Sequence, residues 1–246
     1  MNDQIVTFKQ RLKAFLYHLG FSAVLLVISL FLILYIWYPG ALKYATGVLT
    51  VYCMLLLIDV ILGPFLTALV YKKNKVKLMF DMTIILIIQI SALLFGLYTL
   101  EKGRPTWLVF VVDDFELVAK SDLDSQTVVP EKFNLGFFDR PVWVAAVYSD
   151  DPVIRQKQKE DEIFNGISLT TRPEAYQSIA VKKEAIISKA KPLEELKKYN
   201  ALTNEGLKEL SSYSGWLPLK APEKDMVVLV NKEGIPTKIV NLRPWE

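Results

Sequence analysis

The chain of 246 residues has one cysteine, Cys53, and one histidine, His18. A lone cysteine excludes any intramolecular disulfide, so the fold must hold by its own core in either redox compartment. Past residue 100 there is neither cysteine nor histidine, which removes thiol and imidazole nucleophiles from that part of the chain. No His, Cys and carboxylate set has metal-ligand spacing. No glycine-rich phosphate loop leads into a helix. An intramembrane aspartyl protease would need two facing acids, but Asp59 and Asp81 differ in depth by about half a span at 1.5 Å per residue, and Gly-x-Gly-Asp is absent. These gaps leave no catalytic, cofactor or metal residue to nominate. The expectation is a protein that is not an enzyme and takes no small-molecule substrate.

Charge is scarce before residue 100, and long apolar runs replace it. Residues 1–104 carry 10 Lys or Arg and 4 Asp or Glu, against 19 and 22 in residues 105–246. The mild net charge of +3 therefore belongs to the first part, as membrane flanks rather than a nucleic-acid surface. Three blocks, about 14–38, 46–70 and 78–100, each reach the roughly 20 apolar residues needed to cross a bilayer. The first block is longer than the roughly 7–15 residues of a signal-peptide core and lacks a small-x-small cleavage pattern, so it reads as a retained span.

Lys9, Arg11 and Lys13 precede the first block, and Lys72, Lys73, Lys75 and Lys77 fill the second connection, whereas the first connection holds only Lys43. Cationic flanks stay cytoplasmic. That puts the N-terminus in the cytoplasm and everything beyond the third span on the far side, with Glu101, Lys102 and Arg104 as a weak contrary signal. The expected architecture is a three-span transmembrane bundle over residues 1–104, followed by an extracytoplasmic α+β domain over 105–246.

Within "LLLIDVILGPFLTALV" a single acid, Asp59, falls at the middle of the second span. A carboxylate at that depth costs a few kcal/mol or more unless it faces protein. Gly63 and Thr67 follow on the same face at four-residue steps. Pro64 removes a backbone donor and frees the carbonyl of Val60, which predicts a kink. In the third span Gln89, Ala92, Gly96 and Thr99 form a small and polar stripe, with Gln89 at the depth of Asp59. An Asp59–Gln89 hydrogen bond is the expected helix contact, with Ser22 and Ser29 of the first span completing the bundle. One midplane acid reads as polar glue or partner recognition, because a proton relay needs several ionisable groups along a path. His18 reads as an interfacial ring.

The second half alternates strand and helix patterns. "WLVFVVDDFELVA" reads as a strand pair about Asp113–Asp114, and "RPVWVAAVY" as a buried strand. "VIRQKQKEDEIF" and "RPEAYQSIAVKKEAIISKA" read as helices, the latter with Pro173 in its first turn. "PLEELKKY" and "TNEGLKELSSYSG" read as short helices, Gly215 capping the last. "MVVLV" and "IPTKIVNL" read as a hairpin turning at Gly234. The strand-end acids Asp113 and Asp114 read as a turn rather than an acid catalyst, and the tryptophans as core or interface.

Taken in order, "RLKAFLYHLGFS", "WYPGAL", "DVILGPFLTALVY", "GRPTWLVFVVDDFELV" and the closing "NLRPW" resemble the TfpX/TfpZ-type type IV pilin accessory proteins, over nearly the whole chain. The resemblance implies a multi-pass protein of the bacterial inner membrane with a periplasmic domain. It implies a chaperone-like factor that supports a cognate pilin, pilus assembly and twitching motility. Asp59, Gly63, Pro64, Arg104, Pro105, Trp107, Arg243, Pro244 and Trp245 are the positions that match the family pattern. Two other readings stay open: a small transporter or ion-conducting subunit, and an assembly factor for another envelope complex.

Overall fold

A computed structural model of the chain describes residues 2–72, 75–124 and 127–246. Lys73, one of the basic residues used to orient the second connection, lies outside them. The chain divides into two compact units, Met1–Ile33 with Val48–Glu101, and Leu34–Gly47 with Lys102–Glu246.

Helices long and apolar enough to cross a membrane lie at Phe8–Trp37, Val48–Val70 and Leu78–Lys102; all but their last residues at Leu34–Trp37 and Lys102 belong to the first unit. This is a membrane protein. Side chains such as Val27, Ile61 and Ile88 point outward and are exposed; against lipid tails such exposure carries no penalty. The first span is helix α1 (Asn2–Phe31) continued by a π-helical stretch, Leu32–Trp37. A four-residue helix α2 (Leu42–Ala45) follows. The second span is α3 (Val48–Leu56), a π-helical turn Leu57–Leu62, and α4 (Gly63–Val70). The third is α5 (Leu78–Lys102).

The π turn is how the second span accommodates Pro64. Proline cannot donate to the carbonyl four residues back and crowds it. Here the ladder slips by one, and the Gly63 N–H donates to the carbonyl of Ile58, five residues back. The disturbance expected at Pro64 thus takes the form of a π bulge, and Asp59 lies inside it.

The second unit is built on a mixed sheet of strands β1 (Pro105–Val111), β2 (Asp114–Ala119), β3 (Val142–Ala146), β4 (Tyr176–Ser178), β5 (Gly215–Lys220), β6 (Met226–Val230) and β7 (Pro236–Val240). The spatial order is β4-β3-β1-β2-β5-β6-β7. The β1/β3 and β2/β5 pairs are parallel, the others antiparallel. Helices α6 (Pro152–Phe164), α7 (Lys183–Lys189) and α8 (Asn204–Leu210) complete the α+β unit. Asp151 and Thr203 cap α6 and α8, accepting N–H groups of the first turns.

Successive strand residues point to opposite faces, and both faces are covered. Leu108, Phe110, Phe115, Leu217 and Val228 pack on one side with Ile186. Trp107, Val109 and Val144 pack on the other with Phe133, Leu169 and Tyr176. Two-sided burial explains why "MVVLV" reads as unbroken apolar sequence rather than alternation.

Some local expectations are corrected. "RPEAYQSIAVKKEAIISKA" is not one helix. Pro173 opens a single short turn, the chain then extends as β4, and the helix begins only at Lys183. Tyr176 drives the break: its ring is buried against Trp107 and Phe133, where helical geometry would not carry it. Gly215 does not cap α8; it opens β5, where a Cβ would meet the Lys191 carbonyl at 2.8 Å. Gly234 turns the β6–β7 hairpin at φ +73°, as read from the sequence.

The strand directions define a base to this sheet. β1 and β3 start there, and the β5–β6 turn, Ala221–Asp225, lies at the same end. The first connection joins the base. The Ala45 carbonyl accepts the N–H groups of Glu223 (3.0 Å) and Lys224 (3.2 Å), and Ala41, Leu42 and Ala45 are buried with Leu108 and Phe110. Two spans separate residue 47 from residue 102, so two crossings return the chain to the side of the membrane from which it left.

Candidate functional site

Two places gather the residues singled out by the sequence, one in each unit. Inside the helix bundle, a cavity of about 30 Å³ is lined by His18, Ser22, Ser29, Tyr52, Asp59 and Gln89 among apolar neighbours. The lining is mostly apolar, and at membrane depth each of its polar groups needs a partner. Gln89 Nε2 donates to the Asp59 main-chain carbonyl at 3.4 Å. The expected pair does meet, but through the carbonyl that the π turn presents rather than through the carboxylate. The half-buried Asp59 carboxylate lines the cavity.

Gly63 and Gly96 are the contact points between the second and third spans. A Cβ on Gly63 would run into the side-chain amide of Gln89, and one on Gly96 into the side chain of Leu55. A methyl at either position would have to push a side-chain end aside, so glycine lets the helices close as they do here, the small-residue packing used where no hydrophobic force drives association. Pro64 is buried beside Gly63. Thr99 is exposed and bonds only to its own Phe95 carbonyl, so the small stripe of α5 ends at Gly96.

Thr67 faces the first span, where its hydroxyl and His18 Nδ1 lie 2.6 Å apart. This corrects the reading of His18 as a merely interfacial ring. Its four-residue and eleven-residue spacing from Ser22 and Ser29, both buried, was the available signal. Ser29 Oγ and the Tyr52 hydroxyl lie 3.0 Å apart and both reach the Leu26 carbonyl. Tyr52 was missed, though it precedes Asp59 by two helical turns on the same stripe. Asp81 pairs with Lys75 at 2.6 Å and does not line the cavity.

The second place is the base of the sheet. Arg104 is 1% exposed. Its guanidinium donates to the carbonyls of Gly136 and Asp139, each at 2.6 Å, and lies over the Trp37 ring at 5.9 Å. Pro105 is buried and opens β1. Trp107 is fully buried and its indole donates to the Phe133 carbonyl at 3.0 Å. At the C-terminus, Asn200 holds Arg243 by both its N–H and its carbonyl, and Pro244 is buried. The Trp245 indole donates to Asp225 Oδ2 at 2.9 Å, while Asp225 Oδ1 accepts the Ala221 N–H. The closing residues thus brace the turn that receives the Ala45 carbonyl.

The acid pair at the first hairpin has a structural use. Asp114 opens β2 and pairs with Lys220 of β5 at 2.6 Å. Burial pushes its carboxyl up, opposed by the Lys220 charge; the same contact raises Lys220. Glu116 accepts the Thr170 hydroxyl at 2.5 Å.

The chain is similar to proteins named as fimbrial assembly proteins of Dichelobacter nodosus. It is 26% identical to that of serogroup E1 over 214 residues, covering 85% of this chain and 82% of the relative. It is 25% identical to that of serogroup I over the same shares. To that of serogroups C1 and C2 it is 28% identical over 125 residues, half of this chain and 94% of the relative. No family profile matches the chain, and no solved structure does.

Proposed function

We propose that this protein is a membrane-embedded assembly factor for type IV fimbriae that stabilises a pilin subunit before it joins the fibre, by binding rather than catalysis. The observation that carries the reading is the similarity to fimbrial assembly proteins across 85% of the chain, a length that takes in both units. The proposed setting is the bacterial inner membrane, with the N-terminus cytoplasmic and the sheet unit periplasmic, as the basic flanks direct.

The architecture supplies two kinds of contact surface. The bundle turns apolar side chains such as Val27, Ile61 and Ile88 outward, a lipid-facing surface for another membrane helix. The sheet unit offers a water-facing surface for a globular head. Deleting the gene should lower pilin level or surface piliation and reduce twitching, with pilin transcription unchanged. Cross-linking of the tagged protein should capture pilin. Normal pilin, piliation and motility in the deletion strain would dispose of the role. Asp59→Leu should lose most of the function and Asp59→Asn less, because an amide still hydrogen-bonds at that depth.

A further inference from the structure

We propose that the turn Gly136–Asp139 is a membrane-interface anchor, whose Phe138 ring, with Phe137 beside it, enters the boundary between lipid headgroups and acyl chains. Phe138 is 74% exposed and Phe137 47%, and their rings meet edge to face at 5.0 Å. Turns in water are built from Gly, Asn, Asp, Ser and Pro; two adjacent exposed phenylalanines are out of place there.

The turn is clamped. The Trp37 indole donates to the Phe137 carbonyl at 2.7 Å, and the two rings pack edge to face at 5.0 Å. Arg104 holds the carbonyls on either side of the phenylalanine pair, and the Asp139 carboxylate accepts the Gly136 N–H at 2.7 Å. Trp37 is the last residue of the first span, and Arg104 follows the last residue of the third, Lys102, by two positions. A helix that crosses a bilayer ends at the headgroups. A turn fastened to both residues is held at that level.

Strand direction agrees. β3 runs parallel to β1, so the residues leading into β3 lie at the end where β1 begins, just past the third span. The neighbouring chemistry suits an interface. Tyr44 of the first connection is 44% exposed with Lys43 over its ring at 5.2 Å, and exposed Arg140 follows the turn. Aromatic rings flanked by cations sit at the boundary and reach the phosphates. The occupant is therefore lipid, not a second protein. The inference requires that the spans cross a membrane and is independent of any role in fimbrial assembly.

The test uses the full chain in vesicles of phosphatidylcholine and phosphatidylglycerol. Cys53→Ser removes the native thiol, and Phe138→Cys carries a nitroxide. Lys232→Cys, in the β6–β7 turn at the opposite end of the sheet, serves as the aqueous reference. Spin relaxation by oxygen, which partitions into lipid, is compared with relaxation by a water-soluble nickel chelate. The oxygen-to-nickel ratio at 138 should exceed that at 232 several-fold. Equal ratios would overturn the proposal, and so would low access to both reagents at 138, which would mean a protein cover. On the unsubstituted protein, a diazirine lipid should label the peptide containing Phe137 and Phe138 and spare residues 231–235. The reverse pattern would likewise overturn it.

Discussion

The bundle and the sheet unit solve the same packing problem in opposite solvents. In the bundle, apolar side chains face outward, and the helices meet through glycines and a few polar pairs such as His18–Thr67 and Gln89–Asp59. In the sheet unit, Trp107, Phe115 and Trp216 are fully buried, and side-chain donors hold loops by their carbonyls. Lipid offers no hydrophobic drive between helices, so close approach and polar pairing must decide which faces meet. Water does offer it, so apolar burial dominates and polar groups refine the result. A lost side chain should therefore cost most in the sheet unit, and an added methyl in the bundle should act through the side-chain end it meets.

Arg104→Ala gives the largest expected effect. It takes the guanidinium donors from the Gly136 and Asp139 carbonyls, leaving Gly136 only the Asp139 N–H, and opens a void against Trp37, a loss of about 3 kcal/mol or more. A lower melting temperature and new protease cleavage within residues 134–140 would register it. An unchanged melt would show that the base of the sheet does not depend on this residue.

Gly63→Ala should cost about 1–3 kcal/mol through overpacking, because the new methyl meets the Gln89 amide. Gln89→Ala alone removes one interhelical bond, worth about 0.6 kcal/mol on average. Combining the two should recover most of the Gly63→Ala loss, a coupling that a double-mutant cycle on the bilayer-reconstituted protein reads directly. Additive losses would show that Gln89 is not what requires glycine at position 63.

The smallest effect is alkaline. The Tyr148 hydroxyl donates to Glu162, and that bond, with some burial, pushes its ionisation up to about 12. The folded state then keeps a proton that the unfolded chain releases near about pH 10. The contribution is present below that pH and is lost as pH rises toward the folded value. Melting temperatures across about pH 9–12 should fall more steeply in the native protein than in Tyr148→Phe. Parallel slopes would exclude the Glu162 bond as the cause.

The helices were legible because span length and apolar content are local properties of the chain, and so was the meeting of Asp59 with Gln89, which share a depth. The Gly234 turn was legible for a similar reason: positive φ favours glycine. What could not be read depends on distant residues. Tyr176 forms strand rather than helix because Trp107 and Phe133, well upstream, offer its ring a pocket. The bond from Gln89 goes to a carbonyl because Pro64 reshapes the turn around Asp59, an effect on geometry rather than on residue type. The first connection drew notice in the sequence only for its single lysine, yet its Ala41, Leu42 and Ala45 belong to the sheet's core; only their apolar character hinted at this.

That membership sets an order of events during synthesis. Ala45 emerges early, yet the turn that donates to its carbonyl, through Glu223 and Lys224, is translated about 180 residues later. At about 5–20 residues per second the wait is roughly 10–40 s, while two more spans must be inserted. Chains that stop before Glu223 would leave that carbonyl without those donors. Quality-control proteases should therefore clear truncated products, even ones whose membrane part is complete.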